Sequence, residues 1–298
     1  MAMGTRTDRA LVFGGLPQDY LNEWQISSDT GLMRERLGVE IEAVPAGELL
    51  GRMGGLDDGE LADAAFLAEE LLEHAEQGGI YEMPSEEAVA QAVRFYVAMR
   101  SLFREREADA LTVNCGAVKG EGSPVPCVAL TLFLEDGVPA ACQADMDAFL
   151  TMILFRRAGA MPAFLGGSEQ RDAGVRIGHC VMPRNMGAPD GPPAPYRLVR
   201  YHGGPDSPTI ETEAPVERQV TVARLTKDAE RLLLTTGRII ENLHEPPHCP
   251  NAVLLELEDA DAFMEHIIGG QYHLVMACGD HAATMRELAE ATGAEVLP

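Results

Sequence analysis

The chain has 298 residues, 46% hydrophobic and 23% charged, a composition typical of folded globular proteins rather than disordered or collagen-like ones. Its formal net charge of −24 disfavours nucleic acid as a partner, because so acidic a surface repels phosphate backbones. No segment reaches the ~18 apolar residues of a membrane span, and the N-terminus lacks the apolar core of a signal peptide. We therefore expect a soluble, cytoplasmic protein, with two domains at about 150 residues each.

The first 160 residues alternate between strand and helix patterns. Short apolar runs predict strands at RALVFGG (9–15), VEIEAVPA (39–46), ADALTVNC (108–115) and VPAACQAD (138–145). Helical patterns lie between and after them, at 24–38, 57–77, 85–106, 124–137 and 146–159, and Ser85 is a predicted N-cap. Alternation of this kind predicts an α/β fold in which a parallel sheet is covered by helices, here a Rossmann-like domain over residues 1–160.

The pattern changes after about residue 160, where proline and glycine become frequent, as in PRNMGAPDGPPAP (183–195). Turn-bounded apolar runs then predict strands at 195–203, 218–228, 231–242, 251–259 and 271–280, with helices at 259–270 and 281–293. These features indicate a β-rich, barrel-like domain with a few helices over residues 161–298.

A glycine-rich stretch follows the strand ADALTVNC and carries Lys119 and Glu121. We interpret it as a flexible loop. Because parallel sheets bind ligands at the carboxyl ends of their strands, Glu121 and Asp145, each at or just beyond a strand end, are candidate site residues.

Seven of the eight histidines lie after residue 178, and His273 stands out because it begins a predicted strand after a Gly-Gly turn. A hydrogen-bonded core histidine is the plainer interpretation of that position. Together, however, Glu121, Asp145 and His273 would suit Mn²⁺, Fe²⁺ or Mg²⁺, with positions left for water and substrate.

The six cysteines, at 115, 127, 142, 180, 249 and 278, show no CxxC spacing, which argues against a zinc ribbon or a thioredoxin motif. We interpret all six as isolated, small buried apolar residues in a reducing compartment.

From ADALTVNC onward the chain resembles the L-fucose isomerase-like sugar isomerases. The resemblance is carried, in order, by VPAACQADMDAFLTMILF, GHC (178–180), VTVARL followed by LLLTTGRI, and GGQYHLVMACGD. It covers roughly residues 100–298 and, more weakly, 9–100. Full-sized members have a further N-terminal domain that helps to close the site, and we do not expect that domain ahead of RALVFGG here. The site would then be closed in another way, left open, or closed by a partner chain.

The resemblance implies a divalent cation, Mn²⁺ first and Mg²⁺, Fe²⁺ or Co²⁺ otherwise, held by Glu121, Asp145 and His273. It also implies that Glu121 and Asp145 carry protons during catalysis. Many relatives have an acid at the position of Gln143, which can bind a hydroxyl but cannot accept its proton near pH 7. We further expect Gln143, His179, His202 and Lys119 to contact substrate, although solvation of Lys119 and plain packing of the two histidines are alternatives.

The implied activity is aldose–ketose isomerisation of a sugar or sugar-derived hydroxy-carbonyl compound through an enediolate. Two alternatives remain open. The first is a metal-dependent lyase, epimerase or hydrolase on the same scaffold, because a fold does not fix a function. The second is a non-catalytic sugar-binding protein. In each case we expect a homo-oligomer that binds a small molecule and neither nucleic acid nor membrane.

Overall fold

The computed structural model describes residues 7–16, 29–120, 122–187, 192–200, 207–226, 229–245, 249–267 and 273–298. Its strands are β1 (Asp8–Phe13), β2 (Val39–Val44), β3 (Ala110–Val113), β4 (Ala140–Ala141), β5 (Ala163–Arg171), β6 (Gly174–His179), β7 (Tyr196–Arg200), β8 (Pro208–Thr212), β9 (Gln219–Thr226), β10 (Arg231–Leu243), β11 (Asn251–Leu257), β12 (His273–Cys278) and β13 (Glu295–Leu297). Its helices are α1 (Thr30–Leu37), α2 (Ala46–Gly54), α3 (Asp58–His74), α4 (Glu86–Glu105), α5 (Cys115–Gly120), α6 (Cys127–Glu135), α7 (Met146–Arg157), α8 (Ala260–Glu265) and α9 (Ala282–Ala291). Within these ranges, none of the helices has the length and apolar character needed to cross a bilayer.

Four strands of the N-terminal half form a parallel sheet in the order β2-β1-β3-β4. All four residues of β3 are buried, as expected for a strand covered on both faces. The longest covering helix, α4, begins where predicted, because the Ser85 side chain accepts the Ala88 N–H at 3.2 Å. The predicted parallel sheet with helical cover is confirmed.

The C-terminal half contains an antiparallel barrel. Its strands follow the order β11-β6-β5-β12-β9-β10, and β10 pairs with β11 to close the ring. In the part of the chain that the structure describes, the barrel has six strands, and β13 pairs in parallel with β10 outside the ring. Closure removes sheet edges, which would otherwise be open to pairing with other chains. The expectation of a β-rich, barrel-like C-terminal half is confirmed.

Helix α7 joins the two halves. Ten consecutive residues, from Met146 to Phe155, are buried, which is the pattern of a helix that is enclosed on all sides. The helix contacts β4 of the sheet and both β9 and β12 of the barrel. A single hydrophobic cluster consequently includes residues of both halves, such as Leu111 and Val275. Asp145 immediately precedes α7, so the packing of this helix fixes the position of this candidate site residue.

The interpretation of the stretch after Cys115 as a flexible loop is wrong for residues 116–120, which form α5 together with Cys115. The Asn114 side-chain oxygen accepts the Ala117 N–H at 3.2 Å and stabilises the start of this helix. The prediction failed because the glycines of this stretch are typical of loops and outweighed the capping signal of Asn114. Glu121 lies outside the described residues.

The sequence patterns also failed to predict helix α2 and the strands β5, β6, β8 and β13. For β5 the reason is that the glycine and polar residues of GGSEQR (166–171) mask the strand pattern.

Gly14, at the carboxyl end of β1, allows a close approach between two neighbouring strand ends. Its φ is +87°, and a Cβ there would lie 3.0 Å from the Asn114 carbonyl oxygen. Gly15 has a similar φ of +79°, but a Cβ added there would meet no atom within 4 Å.

We expect Gly15→Ala to lower the free energy of unfolding by about 1–2 kcal/mol through backbone strain alone. Gly14→Ala should cost about 1–3 kcal/mol more because of the clash, which urea unfolding of both variants would measure. Equal losses would contradict the steric argument.

Candidate active site

A cavity of about 180 Å³ lies where the carboxyl ends of β3 and β4 face strands β5, β6 and β12 of the barrel. Four of the predicted site residues line it: Lys119, Gln143, His179 and His273. Asp145 lies behind His273 and contacts it directly. The other two predicted residues, Glu121 and His202, lie outside the described residues.

Asp145 and His273 are 128 positions apart in sequence and meet at the junction of sheet and barrel. The Nδ1 atom of His273 lies 3.0 Å from the Asp145 Oδ2 atom, and both side chains are buried. Asp145 is the N-cap of α7, and its Oδ1 atom accepts the Ala148 N–H at 3.1 Å. His273 is the first residue of β12. A helix start and a strand start thus hold the two groups in fixed positions.

Arg224 on β9 is completely buried and holds the Asp145 carboxylate with two hydrogen bonds. Its Nη1 and Nη2 atoms donate to Oδ2 at 2.9 Å and to Oδ1 at 3.2 Å, and Nη1 also donates to the His273 carbonyl oxygen at 2.6 Å. The second carboxylate of this turn, Asp147, lies 3.8 Å from Nη2. Arg224 therefore ties α7, β9 and β12 together at the site.

The charge of Arg224 also sets the ionisation of Asp145. Burial by itself would raise the pKa of this carboxyl, but the Arg224 guanidinium and the contact with His273 outweigh it and hold the pKa well below its ordinary value. Asp145 is consequently an anion throughout the physiological range. A carboxylate with so low a pKa is too weak a base to carry protons near pH 7. It is, however, in the ionised form that a metal ligand requires.

The Asp145–His273 contact is compatible with both tautomers of the His273 ring, with the proton on Nδ1 or on Nε2. With a proton on Nδ1, His273 donates a hydrogen bond to Asp145. Without it, the 3.0 Å separation is also what two adjacent ligands of one octahedral cation show when each lies ~2.1 Å from the ion. The pair therefore fits two ligands of Mn²⁺ or Mg²⁺. Among the residues that the structure describes, no third His, Cys, Asp or Glu completes such a cluster.

The remaining predicted residues surround this pair. His179, the last residue of β6, is buried, and its ring meets that of His273 edge-on, with centroids 5.5 Å apart. Lys119 is exposed at the end of α5. Gln143 is exposed and, like Ala144, adopts a left-handed backbone, with φ of +61° and +50°. Non-glycine residues in this conformation store backbone strain, and such strain clusters at functional sites.

Sequence reasoning missed the thiols. Five of the six cysteines line the cavity rather than lying isolated in the core: 115, 127, 142, 180 and 249. Cys115 and Cys142 have their Sγ atoms 3.1 Å apart, and those of Cys180 and Cys249 are 3.2 Å apart. Three cysteines, at 115, 249 and 278, are half-buried, so the expectation that all six are buried is also wrong. The one available signal was that Cys115 and Cys142 each follow a strand of the parallel sheet.

No family model matches the chain, and no curated protein matches it significantly. The function is therefore inferred from the geometry of the cavity and from the resemblance noted from the sequence.

Proposed function

We propose that the protein is a sugar-isomerase-type enzyme that moves a proton between adjacent carbon atoms of a small hydroxy-carbonyl compound. The observation that supports this proposal best is the meeting of Asp145 and His273, 3.0 Å apart, beside a cavity at the carboxyl edge of a parallel sheet. We also propose that the sheet half (1–160) is Rossmann-like and that the barrel half (161–298) is fucose-isomerase-like.

In this proposal Asp145 and His273 are ligands of a divalent cation, Mn²⁺ first, and Glu121 is the third. The cation would polarise a substrate carbonyl and stabilise the enediolate as a Lewis acid. Arg224 keeps Asp145 ionised and oriented through its two hydrogen bonds. Because its pKa is so low, Asp145 is assigned to ligation, and the proton transfer expected of the two acids is assigned to Glu121.

Other cavity residues would bind and orient the substrate. Lys119 is the sole lysine or arginine among the cavity residues that the structure describes, so it favours a substrate with an anionic group. His179 and the Gln143 amide can bind hydroxyl groups. The volume of about 180 Å³ is below the ~300–1,000 Å³ of pockets for drug-sized ligands, which favours a short-chain substrate over a hexose derivative.

A second candidate is metal-independent proton transfer by the same pair. It is favoured by the four contacts that Asp145 already has, from Ala148, twice from Arg224 and from His273, which match the ~four lone-pair sites of a carboxylate. In that case Asp145 orients the His273 ring through Nδ1, and Nε2 exchanges the proton with substrate.

The metal content of the purified protein separates the two candidates. We expect protein prepared without chelators and then reconstituted with Mn²⁺ to retain about one equivalent after desalting, since Arg224 keeps the Asp145 ligand ionised. Elemental analysis measures the ion. In D₂O, NMR should show exchange at the carbon next to the carbonyl for at least one member of a panel of trioses, tetroses, pentoses and hexoses.

Exchange with no bound metal would support the metal-independent candidate and remove the cation from the proposal. Bound metal with no exchange on any sugar would instead favour a lyase, epimerase or hydrolase. A protein that shows neither bound metal nor exchange would support the non-catalytic sugar-binding alternative.

A further inference from the structure

We propose that Cys115 and Cys142 form a thiol–disulfide exchange centre, in which Cys115 attacks small disulfides that enter the cavity and Cys142 resolves the resulting mixed disulfide. This inference concerns the thiols alone and does not depend on the proposed isomerase activity.

The positions of the two sulfur atoms carry the proposal. They lie 3.1 Å apart, so formation of a disulfide, with a length of ~2.05 Å, requires a shift of only about 1 Å. Cys115 follows β3, Cys142 follows β4, and these strands are hydrogen-bonded neighbours. Both residues line the cavity, Cys115 half-buried and Cys142 with 7% of its surface exposed. Cys115 is therefore the more exposed of the two residues at the cavity, and the Cys142 sulfur lies within reach of it.

The polar contacts of Cys115 favour its thiolate. Its Sγ atom accepts the Gln143 N–H at 3.4 Å. One contact acts in the opposite direction, because the protonated Sγ donates to the Val113 carbonyl oxygen at 3.4 Å and this favours the thiol. The hydrogen bond from Cys142 lowers the pKa of Cys115 against the effect of burial, with help from the Gln143 N–H and Lys119. The same bond and burial raise the pKa of Cys142.

The chemistry balances with a low-molecular-weight disulfide as the oxidant. The Cys115 thiolate attacks one sulfur of the reagent, the reagent's S–S bond breaks, and one small thiolate leaves. Cys142 then gives up its proton and attacks the Cys115 sulfur, which expels the second small thiolate. The two cysteines are oxidised to one disulfide, and the small disulfide is reduced to two thiols. Lys119, at the same cavity, would favour reagents that carry a carboxylate.

The pair Cys180–Cys249 serves as an internal comparison because its sulfur atoms are almost as close, at 3.2 Å. Cys180 is buried, and hydrogen bonds to Cys127 and Cys249 together with burial raise its pKa far above that of an ordinary thiol. Proximity is thus shared by the two pairs, whereas the contacts of Cys115 lower the pKa of its thiol and those of Cys180 raise the pKa of its own.

The test treats reduced protein with bis(2-hydroxyethyl) disulfide and maps the products by mass spectrometry. The wild type should lose two thiols and gain a Cys115–Cys142 disulfide without retaining the reagent. Cys142→Ser should trap a stable mixed disulfide on Cys115, and Cys115→Ser should slow thiol loss at least about tenfold. Cys180→Ser, the matched control, should behave as the wild type does.

Circular dichroism identifies any variant that fails to fold, and Cys142→Ala then replaces Cys142→Ser. A first adduct on Cys180 or Cys249, or thiol loss at an unchanged rate in Cys115→Ser, would overturn the proposal. So would a wild-type protein that keeps the reagent on Cys115 without forming the internal disulfide.

Discussion

Replacing Arg224 with methionine is expected to lower the free energy of unfolding by about 3–5 kcal/mol, the usual cost of breaking a buried ion pair by removing one partner. Arg224 is completely buried and makes two hydrogen bonds to Asp145. Without the guanidinium, the Asp145 carboxylate would stay in a desolvated position, with the buried Asp147 carboxyl group nearby. Urea unfolding of the variant and the wild type at pH 7 measures the loss.

The matched control is Arg238→Met on the barrel surface. Arg238 pairs with Glu217 and Glu256, but its side chain is 46% exposed, so its loss should cost less than about 1 kcal/mol. Adding Asp145→Asn to Arg224→Met should recover part of the lost stability, because the uncompensated charge is then removed. A loss below about 1 kcal/mol for Arg224→Met would mean that Asp145 is not held as described.

The same pair predicts a pH dependence. The pKa of Asp145 is depressed in the folded protein, so its stabilising contribution is complete above the unfolded value of ~3.9 and is lost as the pH falls below that value. Without the guanidinium, burial raises the pKa of Asp145 in folded Arg224→Met, so the variant regains stability by protonating Asp145 at a pH where the wild type still holds the anion. The stability difference between the wild type and Arg224→Met should therefore narrow as the pH falls from about 7 to about 3. A difference that stayed constant over this range would contradict the assigned ion pair.

The parts of the fold that the sequence predicts best are those with local periodicity. Helix α7 and strand β3 are read directly from apolar residues, and Ser85 marks the start of α4 by its own chemistry. Closure of the barrel is different, because it depends on pairing of β10 with β11 and of β12 with β5, contacts that join distant segments. No local pattern encodes these, and β5 in particular carries glycine and polar residues where a strand signal would be.

The residues of the candidate site also differ in how far the sequence predicts them. Asp145 and His273 were predicted as partners through the resemblance, since 128 residues separate them and spacing says nothing about their contact. Arg224 was missed because one arginine in the strand VTVARL looks like an outward-facing residue. Its burial becomes evident only when Asp145, 79 positions earlier, is placed opposite it. The cysteine pairs were missed for the same reason, as CxxC spacing detects only thiols that are close in sequence.

Removing the imidazole of His273 is expected to have the largest effect on function. Mutation of a residue that hydrogen-bonds a metal ligand typically lowers metal affinity about 10–100-fold. Loss of a direct ligand should therefore weaken Mn²⁺ binding by at least about 100-fold. His273→Asn places an amide near the position of Nδ1 and can still contact Asp145, whereas His273→Gln places it near Nε2. Metal titration and the D₂O exchange assay on both variants measure the effect.

The matched control is His281→Asn at the start of α9, because His281 is half-buried, contacts the Cys278 carbonyl oxygen at 2.9 Å and does not line the cavity. It should keep both metal and exchange. Since His273 is only 3% exposed, thermal unfolding of each variant shows whether a loss of function reflects the missing imidazole or an unfolded chain. Folded His273→Asn and His273→Gln proteins that bind Mn²⁺ and exchange as the wild type does would remove His273 from the site. If the wild type exchanges without bound metal and both folded variants lose that exchange, His273 is instead the proton-transfer group, with Asp145 orienting its ring.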